Sequence, residues 1–384
     1  MGNNASIPVE TTLTFEEVKG TGASPRKEGH GGGFYKNALY FFGGVEDVAE
    51  EEEEEEEDME EDYLDAKCTN EVHEYNIETK EWKLLNCSGE VPAARSGCIC
   101  SVIKNYLFVF GGTDPIFGYL ADGYQLNLDT LVWEKLHFQG PTPSPRDKAS
   151  SVLLPSGKLL VFGGFGPQTI ELQEGEEDTA TFGWFNETYT FDIDSKTWEL
   201  LSCSGNLPTP RAAMGSCLVQ RPKQTIQAAK DANSLVSYTE GDSALFYYVF
   251  GGRDNQGSRV NDVFSLEIDT LSWDNHNCRG KVPSGRSFHS CISIGDKIVL
   301  FGGADNTHTV LNDVAVLDTR ASSQHAWVEP KVVNAAPPRA FFATIQDGNT
   351  IYFHGGTSGM DTETGEHLNF LSDLWKLDAS NDFF

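Results

Sequence analysis

Residues 107–112 read Leu-Phe-Val-Phe-Gly-Gly, an apolar run that ends in a pair of glycines. An aromatic or apolar pair followed by Gly-Gly occurs six times, at Gly43-Gly44, Gly111-Gly112, Gly163-Gly164, Gly251-Gly252, Gly302-Gly303 and Gly355-Gly356. Where nothing is inserted between them, these pairs are 51 to 53 residues apart. A fixed period of this length indicates a protein built from copies of one structural unit.

The residues around each glycine pair also repeat. An acidic residue follows each pair, at Glu71, Asp122, Glu187, Asp262, Asp313 and Asp373. A tryptophan follows the acid in five units, at Trp82, Trp133, Trp198, Trp273 and Trp327. An arginine comes 12 or 13 residues later, at Arg95, Arg146, Arg211, Arg286 and Arg339, and Arg26 is interpreted as the sixth member of this set. These arginines could line a binding mouth, but their presence in every unit favours structural pairing with the repeated acids.

Each unit divides into four short apolar or alternating segments. In the second unit these are an inner segment at 96–102, an apolar segment at 107–110, a third at 124–128 and an outer one that starts at Trp133. Alternation with period two and enrichment in aromatic and β-branched residues favour strands. Six units of four strands predict an all-β fold, a six-bladed β-propeller.

The sixth unit lacks an outer strand after Trp375. Residues 11–19 carry the missing pattern, with Phe15 in the place of the tryptophan. We therefore expect the N-terminal segment to complete the blade built by residues 340–378, which removes an exposed sheet edge. The predicted organisation is a tail at 1–10 and one propeller at 11–384, with an acidic insertion at 46–65 and a polar insertion at 221–243.

The chain is strongly acidic. Its formal net charge is −30, and residues 46–65 hold 15 acidic side chains and no lysine or arginine. A field of that sign repels phosphate backbones, so nucleic acid is not an expected partner. The eight cysteines have no metal-site spacing and the N-terminus has no signal-peptide pattern, which indicates a reducing, intracellular location. We expect a monomer that is cytoplasmic and, in addition, nuclear or weakly membrane-associated.

The chain shows no arrangement typical of an enzyme. Its nine histidines have no ligand spacing, and no copper-type pairing of tyrosine with histidine is present. We therefore expect no catalytic residue, no bound metal and no cofactor.

Several residues in the third to fifth units depart from the repeat. They are Lys148, Phe165, Trp184, Arg253, Arg259, Ser287 and Phe288. All come from the third to fifth units, so they are expected to converge on one side of the central mouth of the propeller. Cations, a hydroxyl and aromatic rings together suit the carboxylate of an extended peptide or C-terminal tail.

The sequence around these residues resembles a known family. The segments concerned are Pro-Ser-Pro-Arg-Asp-Lys at 143–148, Gly-Gly-Phe-Gly at 163–166, Gly-Gly-Arg at 251–253 and Gly-Arg-Ser-Phe-His at 285–289. The repeat resembles the kelch repeat over essentially the whole chain. The segments resemble the kelch-domain substrate receptors of cullin-2 ubiquitin ligases, which capture proteins that end in Gly-Gly.

That resemblance implies roles for the departing residues. Arg253, Arg259 and Ser287 would hold the terminal carboxylate of the captured protein, and the walls of the pocket would be formed by Lys148, Phe165 and Trp184. Phe288 stands where these receptors favour tryptophan. The function expected is that of a non-catalytic protein-interaction module.

Two alternatives stay open, because kelch propellers are mostly interaction modules but include a few enzymes and specifier proteins. One is a cytosolic or membrane-tethered scaffold with an unrelated partner that binds ordinary kelch loops. The other is a kelch-type enzyme or specifier protein.

Residues 1–6, Met-Gly-Asn-Asn-Ala-Ser, match the N-myristoylation pattern, in which Gly2 is acylated after Met1 is removed. One acyl chain gives only weak, reversible membrane binding of about 10⁴ M⁻¹. This acidic chain offers no basic second anchor, so at most a weak membrane association is expected.

Deleting residues 48–63 should leave the fold intact, because this acidic run lacks the apolar side chains needed to build a core. Thermal unfolding of the deleted protein should match that of the full chain. A large fall in the melting temperature would show that the run is an ordered element of the fold.

Overall fold

The computed structural model describes residues 12–47, 66–168, 181–222, 243–320, 324–363 and 367–378. These residues form β-strands joined by turns, and no helix is found among them. Within the same residues there is accordingly no helix that could cross a membrane. The predicted all-β propeller is confirmed.

Six sheets contain four antiparallel strands each, one sheet for each repeat, and are called blades 1 to 6. An inner strand borders the central channel, and a second, a third and an outer strand follow it outward. In that order the strands are Gly31–Tyr35, Ala38–Phe42, Val72–Asn76 and Glu81–Leu84 in blade 1; Ile99–Ile103, Tyr106–Phe110, Gly123–Asn127 and Val132–Lys135 in blade 2; Ser150–Leu153, Leu159–Phe162, Thr188–Asp192 and Thr197–Leu200 in blade 3; Gly215–Pro222, Ser243–Phe250, Val263–Glu267 and Ser272–Asn275 in blade 4; Ser290–Ile294, Lys297–Phe301, Val314–Asp318 and Ala326–Val328 in blade 5; and Ala343–Asp347, Thr350–His354, Leu374–Asp378 and Thr12–Glu17 in blade 6.

The outer strand of a blade packs against the preceding blade through one aromatic side chain. The ring centroids of Trp133 in blade 2 and Phe42 in blade 1 are 5.3 Å apart, and those of Trp273 in blade 4 and Phe162 in blade 3 are 5.0 Å apart. Phe42 and Phe162 each precede a glycine pair. The same contact recurs in the pairs Trp198–Phe110 and Trp327–Phe250. The second strands are thus buried on both faces, which explains their unbroken apolar sequences.

A buried arginine in the linker before each of blades 2 to 6 joins two blades. Arg286, between blades 4 and 5, donates from Nη1 to Asp313 Oδ1 at 2.6 Å and to the Gly302 carbonyl at 3.1 Å, both in blade 5. Its own carbonyl accepts the N–H of Gly252 in blade 4 at 2.9 Å. Equivalent ion pairs are Arg95–Asp122, Arg146–Glu187, Arg211–Asp262 and Arg339–Asp373. The structural interpretation of these arginines is confirmed.

The assignment of Arg26 as the sixth member is wrong. Lys27 occupies that position: its Nζ lies 3.0 Å from Glu71 Oε2 in blade 1, and its carbonyl accepts the N–H of Gly356 in blade 6 at 2.8 Å. Arg26 donates to the Phe370 carbonyl at 2.6 Å instead. The position requires a long cation that reaches the acid of the next blade, and lysine meets that requirement.

The N-terminal strand completes blade 6, as predicted. Thr12–Glu17 pairs antiparallel with Leu374–Asp378, and Phe15 lies opposite Leu377. Phe15 is buried, with its ring centroid 5.1 Å from that of Phe301 in blade 5. This is the contact that tryptophan makes in other blades, so Phe15 replaces the tryptophan. Lys331–Val333 adds a parallel strand at the outer edge.

Parts of the predicted insertions and the predicted lipidation site Gly2 lie outside the described residues. Val45–Asp47 pairs with Ala66–Cys68 at the base of the acidic insertion, and residues 48–65 are not described. In the polar insertion, the first two residues and the last one extend strands of blade 4. Residues 223–242 of this predicted insertion lie outside the described residues.

Replacing Phe15 by Ala should lower the free energy of unfolding by about 3–5 kcal/mol, because it removes a buried ring from the contact that closes the propeller. Chemical unfolding measures this loss. Glu16→Ala, at the exposed neighbouring position, should change stability by about 0.5 kcal/mol or less. Equal stability of the Phe15 variant and the parent would contradict closure by this strand.

Candidate functional site

A closed ring of six backbone hydrogen bonds surrounds the central axis on the face that carries the linkers. We call it the girdle. Its members are the second residues after Lys27 and after the five buried arginines, namely Gly29, Gly97, Lys148, Ala213, Phe288 and Phe341. Each N–H donates to the carbonyl of the member in the preceding linker at 2.8–3.0 Å, and Gly29 closes the ring on Phe341. The opening that the girdle surrounds is called the mouth.

All six members have a left-handed backbone, with φ between 51° and 62°. That conformation costs roughly 1–3 kcal/mol at a residue other than glycine, and four members are not glycine. The closed set of hydrogen bonds holds them there. The sequence of the girdle therefore varies while its backbone is fixed, so its side chains are available for recognition.

The side chains of the girdle narrow the mouth. The Lys148 ammonium lies 5.9 Å from the centroid of the Phe341 ring, although their linkers lie on opposite sides of the girdle. Glycine makes this possible: a Cβ at Gly29 would lie 2.9 Å from the Phe341 ring, and a Cβ at Gly97 would lie 3.3 Å from Lys148 Cγ. A cavity of about 200 Å³ is lined by the girdle and the residues that follow it. A channel of about 770 Å³ continues between the inner strands.

Short antiparallel pairs form a second layer next to the girdle. In each linker the residue before the girdle member pairs with the residue after a glycine pair. Ala212 pairs with Arg253, and Asp147 pairs with Phe165. Arg253 is thus held next to Ala213, and Phe165 is held next to Lys148. Ala213 and Lys148 are adjacent members of the girdle.

Arg253, Arg259 and Ser287 lie together in this layer, as predicted. Arg253 and Arg259 form an antiparallel bridge, and Arg259 Nε donates to Ser287 Oγ at 2.9 Å. Arg259 Nη1 donates to the Asp305 carbonyl at 2.9 Å, and Arg253 Nε donates to the Gly257 carbonyl at 3.1 Å. Within the described part of the chain, neither arginine forms an ion pair with a carboxylate.

The electrostatics of this pair suit an anion. Arg259 and Ser287 are buried, while Arg253 is exposed. Burial lowers the pKa of Arg259 and the nearby charge of Arg253 lowers it further, while the charge of Asp305 opposes this decrease. Two guanidinium groups whose mutual repulsion is not offset by an ion pair would be stabilised by a bound carboxylate.

The predicted aromatic residues Phe165 and Trp184 also lie in contact. They face each other across a short hairpin, and their ring centroids are 4.8 Å apart. Phe165 pairs with Asp147, the residue before Lys148. Trp184 lies on the other strand of the hairpin, which is further from the girdle. Lys148 Nζ lies 2.5 Å from the buried carboxylate of Asp147, so its charge is partly matched within the protein.

Two residues at the mouth, Phe341 and His367, were missed in the sequence. Phe341 is a girdle member whose ring centroid lies 4.7 Å from that of Phe288. His367 packs edge-on against both rings at 5.7 and 5.6 Å, and its Nδ1 lies 2.5 Å from Glu28 Oε1. Phe341 could have been found, because it follows Arg339 by the same two residues that separate Phe288 from Arg286. No local pattern marks His367.

The histidines near the channel have structural contacts. His30 Nε2 and His354 Nδ1 are 2.9 Å apart, and His289 Nε2 accepts the Gly215 N–H at 3.1 Å. Burial, together with the neighbouring arginines, lowers the pKa of His289 and of His354 to about 3. These imidazoles are therefore neutral at physiological pH. The described ranges contain no cluster of three or more residues that could hold a metal ion.

Comparison with known proteins gives consistent matches. The family described as the KLHDC2/KLHL20/DRC7 Kelch-repeats domain matches residues 59–238 and 221–383. The chain is 31% identical to Kelch domain-containing protein 1 of Mus musculus over 320 residues, which are 79% of this chain and 71% of that protein. It is 29% identical to Kelch domain-containing protein 2 of Bos taurus over 299 residues, 73% of this chain and 66% of that protein. Host cell factor 2 of Homo sapiens is 26% identical over 341 residues, 81% of this chain and 39% of that protein.

Substitution of a buried linker arginine should destabilise the protein strongly, whereas substitution of the exposed arginine at the mouth should hardly change its stability. Arg286→Ala removes a buried guanidinium and leaves the carbonyls of Gly302 and Ser284 without their donor, which should cost about 2–6 kcal/mol in the free energy of unfolding, at about 1–3 kcal/mol for each unsatisfied group. Arg253→Ala changes an exposed side chain and should cost about 0.5 kcal/mol or less. Urea unfolding of both variants tests this difference, and a similar loss in both would contradict the separation of the two sets.

Proposed function

This chain belongs to the kelch-repeat family, most of whose propellers act as protein-interaction modules, and from that premise we propose that its mouth binds the C-terminal carboxylate of a partner protein. The observation that carries this proposal is the pairing of Arg253 with Arg259 beside Ser287. Two guanidinium groups and a hydroxyl supply enough donors for both oxygens of one carboxylate.

The surroundings of the arginines favour a chain terminus over an acidic side chain. The mouth is narrowed by Lys148, Phe288 and Phe341, and the cavity at the girdle is only about 200 Å³. A C-terminus that ends in small residues such as Gly-Gly brings its carboxylate on a thin backbone without side chains. Larger terminal residues would collide with the aromatic rings.

The net charge of −30 also bears on the proposal. An acidic protein repels a carboxylate at long range, so the attraction has to come from groups close to it. Arg253 and Arg259 can attract the carboxylate at short range, because the described residues contain no acid that forms an ion pair with them. If the bound tails end in Gly-Gly and the proteins that carry them are degraded, this supports a role as the substrate receptor of a cullin-2 ubiquitin ligase.

Titration of a labelled peptide that ends in Gly-Gly, beside its C-terminally amidated twin, tests the proposal. Each charge-assisted hydrogen bond contributes about 1.5–3 kcal/mol, and leaving a buried charge half paired costs more, so amidation, Arg253→Ala or Arg259→Ala should each weaken binding by about 10- to 1000-fold. Each protein variant removes one guanidinium, and amidation removes the charge that both recognise.

Arg320→Ala is the matched control. This arginine follows the third strand of blade 5, at the other end of the propeller, and pairs there with Asp318. Its loss should leave peptide affinity unchanged. Equal affinity for the acid and the amide would remove the carboxylate proposal and favour a kelch scaffold that recognises another surface.

A further inference from the structure

The hairpin between the second and third strands of blade 2 exposes two large apolar side chains at its tip. Ile116 is 82% exposed and Phe117 is 70% exposed, the highest values among the large hydrophobic residues that the structure describes. Thr113–Asp114 and Gly118–Tyr119 form the arms of this hairpin. Exposed apolar groups in such a fixed position are unfavourable unless another surface covers them.

The tip has a defined shape. The buried carboxylate of Asp114 accepts the N–H groups of Ile116 and Phe117 at 2.7 and 2.8 Å. Both backbone groups are thereby fixed, and the side chains project from a turn with little freedom left to lose on binding.

A similar turn, in which an aspartate accepts the N–H two residues later, occurs in two other blades with polar residues at the tip. Asp254 accepts the Gln256 N–H at 3.0 Å in blade 4, and Asp305 accepts the Thr307 N–H at 2.8 Å in blade 5. Ile116 occupies the position of Gln256 and Thr307, two residues after the aspartate. The turn therefore does not require an apolar residue, and the apolar tip of blade 2 has another cause.

The tip is continuous with the aromatic residues beside the mouth. Tyr119, on the same hairpin, lies 5.8 Å from Phe165 and 5.6 Å from Phe182 between ring centroids. Phe182 is 52% exposed. We call Ile116, Phe117, Tyr119 and Phe182 the apolar rim. Phe165 connects the rim to Lys148 in the girdle through its pairing with Asp147.

We infer that the apolar rim binds apolar side chains of the same tail whose terminus enters the mouth. This inference rests on the proposed function, and it adds a second recognition element upstream of the carboxylate. Ile116 lies three residues beyond Thr113, which belongs to the layer beside the girdle. At about 3.3 Å per residue, the tip of the hairpin is about 10 Å from that layer. A tail that leaves the mouth in an extended conformation passes the rim about three to six residues before its end.

A second copy of the chain is a poorer occupant. A stable interface buries about 800 Å² on each partner, whereas an aromatic side chain buries at most about 150–250 Å². The four side chains of the rim are only partly exposed, so together they fall below that area. A tail that is already held at its terminus requires much less additional contact, because the second contact is intramolecular.

The experiment compares two labelled peptides that end in Gly-Gly. One carries leucine or phenylalanine at the third to sixth positions before the end, and its twin carries serine there. The parent protein should bind the apolar peptide at least about tenfold more tightly, since burial of one large apolar side chain is sufficient for that ratio. The double variant Ile116→Ser/Phe117→Ser should bind both peptides with the affinity that the parent shows for the serine peptide.

Leu84→Ser is the matched control, because Leu84 is 59% exposed on the outer strand of blade 1. It should keep the preference for the apolar peptide. Loss of the preference in this control, or its survival in the double variant, would overturn the inference. The inference also fails if peptide preference is absent and the double variant instead abolishes self-association in sedimentation or binding to phosphatidylcholine vesicles.

The amidated peptides separate this inference from the proposed function. If amidation weakens binding but serine and leucine peptides bind equally, the rim inference fails and the carboxylate site stands. If amidation has no effect but the preference still depends on Ile116 and Phe117, the rim recognises apolar side chains and the carboxylate proposal fails.

Discussion

The buried guanidinium in the linkers before blades 2 to 6 is the contact on which the arrangement of the blades depends. Its side chain is bonded to the acid and the glycine carbonyl of one blade, while its own carbonyl accepts an N–H from the preceding blade. The guanidinium is buried whereas its acid is partly exposed, so loss of the acid leaves a buried charge uncompensated, which costs more than the pair stabilises. The pair therefore acts chiefly by fixing geometry: it sets the position of the linker backbone, and two residues later that backbone forms the girdle.

The linker arginines and the glycine pairs maintain the fold. The side chains at the positions directly beside them can therefore differ from one repeat to the next. The residues one and two places after each arginine, and the residue after each glycine pair, are positioned by backbone hydrogen bonds that do not depend on the identity of the side chain. Around the mouth these positions hold Lys148, Phe165, Arg253, Ser287 and Phe288 on one arc. The site thus combines a rigid backbone with variable side chains, which is the arrangement that precise recognition needs.

Periodicity in the sequence was sufficient for the strands, the blade order and the closing strand, because each depends on a local pattern. Phe15 was correctly placed since its contact with Phe301 repeats a tryptophan contact. The assignment of Arg26 to the linker set was wrong because it relied on residue type rather than on spacing. Lys27 follows Phe15 by 12 residues, the same interval that separates Arg339 from Trp327. The contacts of His367 and the reach of Lys148 to Phe341 join distant linkers, so no local pattern contains them.

The central claim is that Arg253 and Arg259 hold a chain terminus at the mouth, and a structure of the protein with a bound peptide ending in Gly-Gly tests it most directly. The account predicts both carboxylate oxygens within about 3.2 Å of guanidinium nitrogens of Arg253 and Arg259, with the terminal glycine against Phe288 and Phe341. A peptide bound by its internal residues, or one seated at the opposite end of the channel, would contradict it.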